Sequence, residues 1–165
     1  MGALSAGSSA PDFSLPTLKN EKFSLREALA RGPVVAAFFK VSCPVCQYAF
    51  PFLERIYQAQ GNPSMTWVGV SQNDKKDTLA FLKEYGVTFP VLLDDLDRFA
   101  VSNAYGLTNV PTVFWIAQDG TIAIASVGWS RQDIVEISRR AAAAAGNEIV
   151  PVFEPDEQVA DFRAG

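Results

Sequence analysis

A chain of 165 residues with 48% apolar and 12% aromatic residues can bury one well-formed core, which excludes a disordered chain and makes a single compact domain the expectation. A formal net charge of −4, with no cluster of Lys and Arg, speaks against nucleic acid and anionic membrane surfaces as partners. The chain holds no histidine, so Ser-His-Asp and Cys-His hydrolysis are excluded by inventory.

Residues Met1 to Gly7 carry neither a basic head nor a long apolar run, so no secretory signal is read there and a cytoplasmic address is the expectation. The longest apolar run, Val34 to Phe39, is too short for a membrane span. Ala10-Pro11-Asp12-Phe13-Ser14-Leu15-Pro16 reads as extended, and Glu21 to Leu25 as a short strand or turn leading into Arg26 to Ala30. Pro33 to Lys40 is nearly all apolar, the pattern of a central strand covered on both faces.

From Pro44 to about Ala59, apolar residues at Val45, Tyr48, Ala49, Phe52, Leu53, Ile56 and Tyr57 recur at helical spacing, with Cys43 as cap and Pro44 at the first helical position. Pro51 lies inside this helix, where its missing N–H and its ring should bend it. Thr66 to Ser71 reads as a second buried strand, Lys75 to Tyr85 as a helix stopped by Gly86, Phe89 to Asp94 as a short strand and Leu96 to Tyr105 as a short helix. Thr112 to Ile116 and Ile122 to Ala125 flank Asp119-Gly120, a hairpin signal. Ser130-Arg131-Gln132-Asp133 resembles a capping box for a last helix ending near Ala145. The segment 147–165 carries five acids against one base and reads as an acidic, surface-lying or mobile tail.

The only two cysteines stand in Cys43-Pro44-Val45-Cys46, where the central strand passes into the helix. Two thiols at that spacing can close a small disulfide ring, and the free N–H groups and dipole of a helix start favour a thiolate on the first sulfur. The pair is therefore a candidate two-electron redox switch. An inert structural disulfide is the poorer account, because so short a loop constrains the unfolded chain little. A complete zinc site usually needs more nitrogen or sulfur ligands than this histidine-free chain offers.

Cys43-Pro44-Val45-Cys46 after an apolar strand, Pro51 five residues past the second cysteine, and Val110-Pro111-Thr112 before a strand–turn–strand unit together resemble the thioredoxin superfamily, over roughly residues 10–145. The leading Ala10-Pro11-Asp12-Phe13, the extra strand and helix between Trp67 and Leu93, and Tyr105-Gly106-Leu107 narrow the resemblance to the TlpA/ResA-like redoxins and the AhpC/TSA-related peroxiredoxins. It implies a thioredoxin-like α/β fold: a central mixed sheet with helices on both faces, an N-terminal extension and an inserted strand-helix unit.

The resemblance also implies roles. Cys43 would be the nucleophile and Cys46 the resolving thiol of a redox-active disulfide. Pro111 would be a cis-proline facing them, and Val110 and Thr112 would contact substrate. The activity implied is thiol-disulfide exchange through a mixed disulfide, with a disulfide-containing protein or small thiol as substrate and a reducing dithiol as partner. No metal or organic cofactor is implied. The alternatives are a thiol peroxidase and a non-catalytic binding module on the same fold. The peroxidatic pattern Pro-x-x-x-Thr-x-x-Cys is not met, since those places hold Ala36 and Lys40 before Cys43, and Phe39 and Cys43 before Cys46. Two carboxylates familiar in the superfamily are also replaced, by Ala37 six residues before Cys43 and by Ala49 three residues after Cys46. Proton transfer at Cys46 is then left to water, to Lys40 or to a more distant acid.

Overall fold

The computed structural model describes residues 2–165. In chain order the elements are β1 (Ser14–Pro16), β2 (Lys22–Ser24), α1 (Leu25–Leu29), β3 (Val34–Phe39), α2 (Pro44–Gln60), β4 (Thr66–Ser71), α3 (Lys75–Tyr85), β5 (Val91–Leu93), α4 (Ala100–Ala104), β6 (Thr112–Ile116), β7 (Ile122–Val127), β8 (Trp129–Ser130), α5 (Arg131–Ala145) and β9 (Phe162–Arg163). Five strands form the central sheet in the order β5-β4-β3-β6-β7. The β3–β4 and β4–β5 pairs are parallel, while β6 runs antiparallel to both β3 and β7. The sheet is therefore mixed, as the sequence pattern implied.

Every residue of β3 is buried, and alternation sorts its side chains between two cores. Val35, Ala37 and Phe39 pack with α2, α3 and α5 residues such as Phe50, Leu53, Phe81 and Ile137. Val34, Ala36 and Phe38 face the other layer, with Leu25 and Ala28 of α1, Val101 of α4, Tyr105 and Phe114. A strand sandwiched this way has no polar face to show, which is why it reads as one apolar run.

The N-terminal extension covers both edges of the sheet, where unpaired strand groups would otherwise invite another chain. Ser9 bridges to Thr121 beside β7, and Thr17 bridges to Leu92 of β5. Between these points the Tyr105 hydroxyl donates to the Pro11 carbonyl at 2.7 Å.

Helix starts follow side-chain caps: Ser24, Asp74 and Ser130 each accept from the backbone N–H three residues on. Gly86 and Gly146 end α3 and α5 at positive φ. The helix expected from Leu96 is shorter, beginning at Ala100. Asp94, buried at 3% exposure, takes the N–H groups of Asp95, Val101 and Ser102, and Asp95 takes that of Asp97, so the side chains hold Asp95 to Phe99 in a turn. Phe99 then sits at φ 47°, outside the right-handed helical region.

The acidic tail lies along the surface against α2 and the start of α5. Phe153 packs edge-on to Phe52 and Trp129, and the Glu157 carboxylate grips the Arg55 guanidinium with contacts of 2.7 and 2.8 Å. Its last strand, β9, pairs antiparallel with β8. Among the described residues no helix is long and apolar enough to cross a membrane.

Candidate active site

The chain leaves β3 at Lys40, which is exposed, and turns through Val41 and Ser42 into α2. Both polar groups of Val41 are taken by side chains: its N–H donates to Asn73 Oδ1 at 3.0 Å and its carbonyl accepts from Gln47 Nε2 at 2.9 Å. The loop is thus clamped by the end of β4 on one side and by α2 on the other.

Cys43 caps α2, with extended backbone at φ −83° and ψ 115°, and Pro44 follows in the first helical turn, where no intrahelical N–H is lost. The Cys43 sulfur accepts from the Cys46 N–H at 3.2 Å, one of the donors that a helix start leaves free. Both cysteines are free thiols; Cys43 is half-buried and Cys46 is fully buried. Burial first, then the hydrogen bond and charge coupling to Cys43, push the Cys46 thiol far above its ordinary value of 9.0. The two sulfurs therefore differ in access and in readiness to ionise.

Across the chain, the Cys43 thiol donates to the Val110 carbonyl at 3.3 Å. The Val110-Pro111 peptide bond is cis. Thr112 is fully buried and opens β6, paired with Phe38 and Val127, while its hydroxyl donates to the Asn109 carbonyl at 2.8 Å. It holds the loop from behind, and among Val110, Pro111 and Thr112 it is the Val110 backbone that reaches the thiol. Sequence expectation and structure thus bring Cys43, Cys46, Val110 and Pro111 to one place, with Thr112 supporting them.

Ala37 and Ala49 are both buried, as apolar members of the core below α2. The buried carboxylate further along α2 is Glu54, 8% exposed, and its oxygens are engaged by the N–H groups of Thr88 and Phe89, the Thr88 hydroxyl and Gln58. It anchors α2 to the segment before β5. Neither Ala37 nor Ala49 thus places a carboxylate beside Cys46, which is itself fully buried.

A cavity of about 450 Å³ opens beside Cys43, walled by Lys40, Gln72, Ser102, Asn109, Val110 and Gly165 among others. Its polar wall is ordered: Gln72 Nε2 donates to the Ser102 hydroxyl at 3.0 Å, and that hydroxyl donates to Asp94 at 2.6 Å. Sequence reasoning missed Gln72, Asn73 and Asn109. Gln72-Asn73 directly follows the carboxyl end of a parallel strand, the place where ligands gather in open α/β sheets, and that was the available signal.

The AhpC/TSA family model matches residues 6–125. The thiol-disulfide oxidoreductase ResA of Halalkalibacterium halodurans is 30% identical over 132 residues, covering 79% of this chain and 73% of ResA. A thioredoxin family thiol:disulfide interchange protein from Chlorobium tepidum superposes with a TM-score of 0.68 at 26% identity, covering 84% of this chain and 99% of that one. The thioredoxin domain of a thiol-disulfide oxidoreductase from Bacteroides vulgatus superposes with a TM-score of 0.74, covering 84% of this chain and 98% of that one, and at 22% identity it speaks for the fold. With a Cys-x-x-Cys dithiol at the strand-to-helix junction of a thioredoxin-like sheet, and with ResA as a relative over most of its length, the chain belongs to the AhpC/TSA family and is a redoxin of the ResA-like, thiol-disulfide oxidoreductase kind.

Proposed function

We propose that Cys43 is the nucleophile and Cys46 the resolving thiol in exchange with a disulfide-containing substrate. The observation that carries this assignment is the asymmetry of the pair: Cys43 is half-buried and receives the Cys46 N–H, whereas Cys46 is sealed behind it. In the first step the Cys43 thiolate attacks a substrate sulfur, forming a mixed disulfide and releasing the other substrate sulfur as a thiolate. In the second, the Cys46 sulfur attacks the Cys43 sulfur, closing the Cys43–Cys46 disulfide, and its proton leaves with the substrate, which is released as a thiol. The substrate gains two electrons, and a reducing dithiol of another molecule returns them to the protein.

Val110 and Pro111 complete the assignment. Proline has no N–H to offer, and among the described residues the Val110 carbonyl accepts a hydrogen bond from the Cys43 thiol alone, so it becomes free to take a substrate N–H once that proton has gone. Substitution tests the roles directly. Cys43→Ser is expected to lower reduction of insulin disulfides by at least about 10³-fold, as loss of a nucleophile does. Cys46→Ser is expected to accumulate a mixed disulfide visible by mass. Full activity in Cys43→Ser would overturn the assignment.

A further inference from the structure

The segment 147–165 lies outside the residues that the AhpC/TSA family model matches. Up to Ala160 it is firmly held. Besides Phe153 and Glu157, the Ala160 carbonyl accepts from Trp129 Nε1 at 2.6 Å and the Ala160 N–H donates to the Tyr48 hydroxyl at 3.1 Å. From Asp161 onward the hold changes, and every residue to Gly165 is exposed. What retains this last stretch is the short β8–β9 ladder, the Arg131 N–H to the Asp161 carbonyl at 2.9 Å, the Arg163 guanidinium 4.2 Å over the Tyr48 ring, and Asn109 Nδ2 to the Gly165 carbonyl at 2.9 Å.

This exposed stretch lies against the reacting sulfur's own partner. A Cβ placed on Gly165 would stand 2.4 Å from the Val110 carbonyl oxygen, the atom that accepts from the Cys43 thiol. On the other side, a Cβ on Gly128 would stand 2.4 Å from the Arg163 carbonyl oxygen. Residues 163–165 therefore pass between Val110 and Gly128 in contact with both, and leave no room for a second chain. Gly165 also borders the cavity beside Cys43.

We propose, resting on the thiol-disulfide reading above, that residues 161–165 form a displaceable strap. They fill the slot in which an extended polypeptide disulfide must lie to present its sulfur to Cys43. The slot offers recognition elements for main chain, namely the backbone edge of β8 and the Val110 carbonyl, which suit an extended polypeptide. A small disulfide needs neither, because it meets Cys43 from the cavity on the Lys40 and Gln72 side. The strap thus taxes polypeptide substrates alone.

Two variants test this, and neither residue lines the cavity or touches the reacting sulfurs: Phe162→Pro, which places a residue without an N–H in β9 beside β8, and Arg163→Ala, which removes the contact with Tyr48. Each is assayed with insulin and with the small aromatic disulfide 5,5′-dithiobis(2-nitrobenzoate). Both variants are expected to raise kcat/KM for insulin by about tenfold, the change produced when the open form is roughly one tenth of the molecules, with the small disulfide reduced at the wild-type rate. An unchanged or lowered insulin rate, with the small disulfide still reduced, overturns the strap alone. A wild-type protein inert toward both disulfides overturns the thiol-disulfide reading and the strap with it.

Discussion

Cys43 and Cys46 share one helical turn, yet only the first is open to a reagent. With the second thiol pushed far above 9.0 by burial, its thiolate fraction at neutral pH is cut about tenfold for every unit of that rise. Iodoacetamide at pH 7.5 is therefore expected to add once, at Cys43, before any second adduct forms; peptide mapping after partial labelling checks the order. The pair was legible in the sequence because its spacing is local and its neighbours, Pro44 and the apolar strand, are local too. The partners of Val41 were not, since Asn73 lies 32 residues away and its side chain could serve any of several loops.

Among the elements, the five strands of the central sheet and the long helices were legible in the sequence, while β8, the short α4 and the docked tail with its β9 were not. The apolar pattern from Leu96 gives no hint that Asp94 and Asp95 would take the N–H groups a helix needs. The tail's composition shows its charge but not that Phe153 finds Phe52 and Trp129 across the fold.

Docking of that tail is expected to depend on acid. The Arg55 guanidinium holds the Glu157 carboxyl down to about 2, from an ordinary 4.5. A lowered carboxyl contributes its stabilisation above the free value and loses it as pH falls toward the folded one, so the tail should loosen between these two values. Hydrogen exchange of the tail amides across this range measures the change, and Glu157→Gln should remove its pH dependence.

At the scale of the whole molecule, two cores share one sheet, and close packing at its centre leaves little slack. A Cβ on Gly69 of β4 would lie 3.1 Å from Val91 and 3.3 Å from Phe39 and Phe89, so Gly69→Ala is expected to destabilise the protein by about 1–3 kcal/mol in urea unfolding. Cys46 in one core and Tyr105 in the other are weak acids whose ionisation is opposed mainly by burial. Cys46 is raised from 9.0 and Tyr105 from 10.0. A raised acid stabilises the fold below its free value and loses that contribution as pH climbs. The urea midpoint of the reduced protein should therefore fall between about pH 8 and pH 11. Oxidation to the Cys43–Cys46 disulfide removes one of the two acids, so the oxidised protein should lose less. That the sheet is mixed was implied by the family resemblance and by the Asp119-Gly120 hairpin. The closing of both sheet edges by residues 9 and 17 was beyond a local pattern, because neither bridge involves a neighbour in sequence.

Glu54 gives the helix that carries the thiols a second fixed point. Its carboxylate is met by the backbone of Thr88 and Phe89 just ahead of β5, while the other end of α2 is held through Gln47 and Val41. A rod held at two separated points resists swinging when its tip gains or loses a bond. The geometric change between dithiol and disulfide is then expected to fall within the first turn, where both cysteines sit, with the remainder of α2 as its fixed mount.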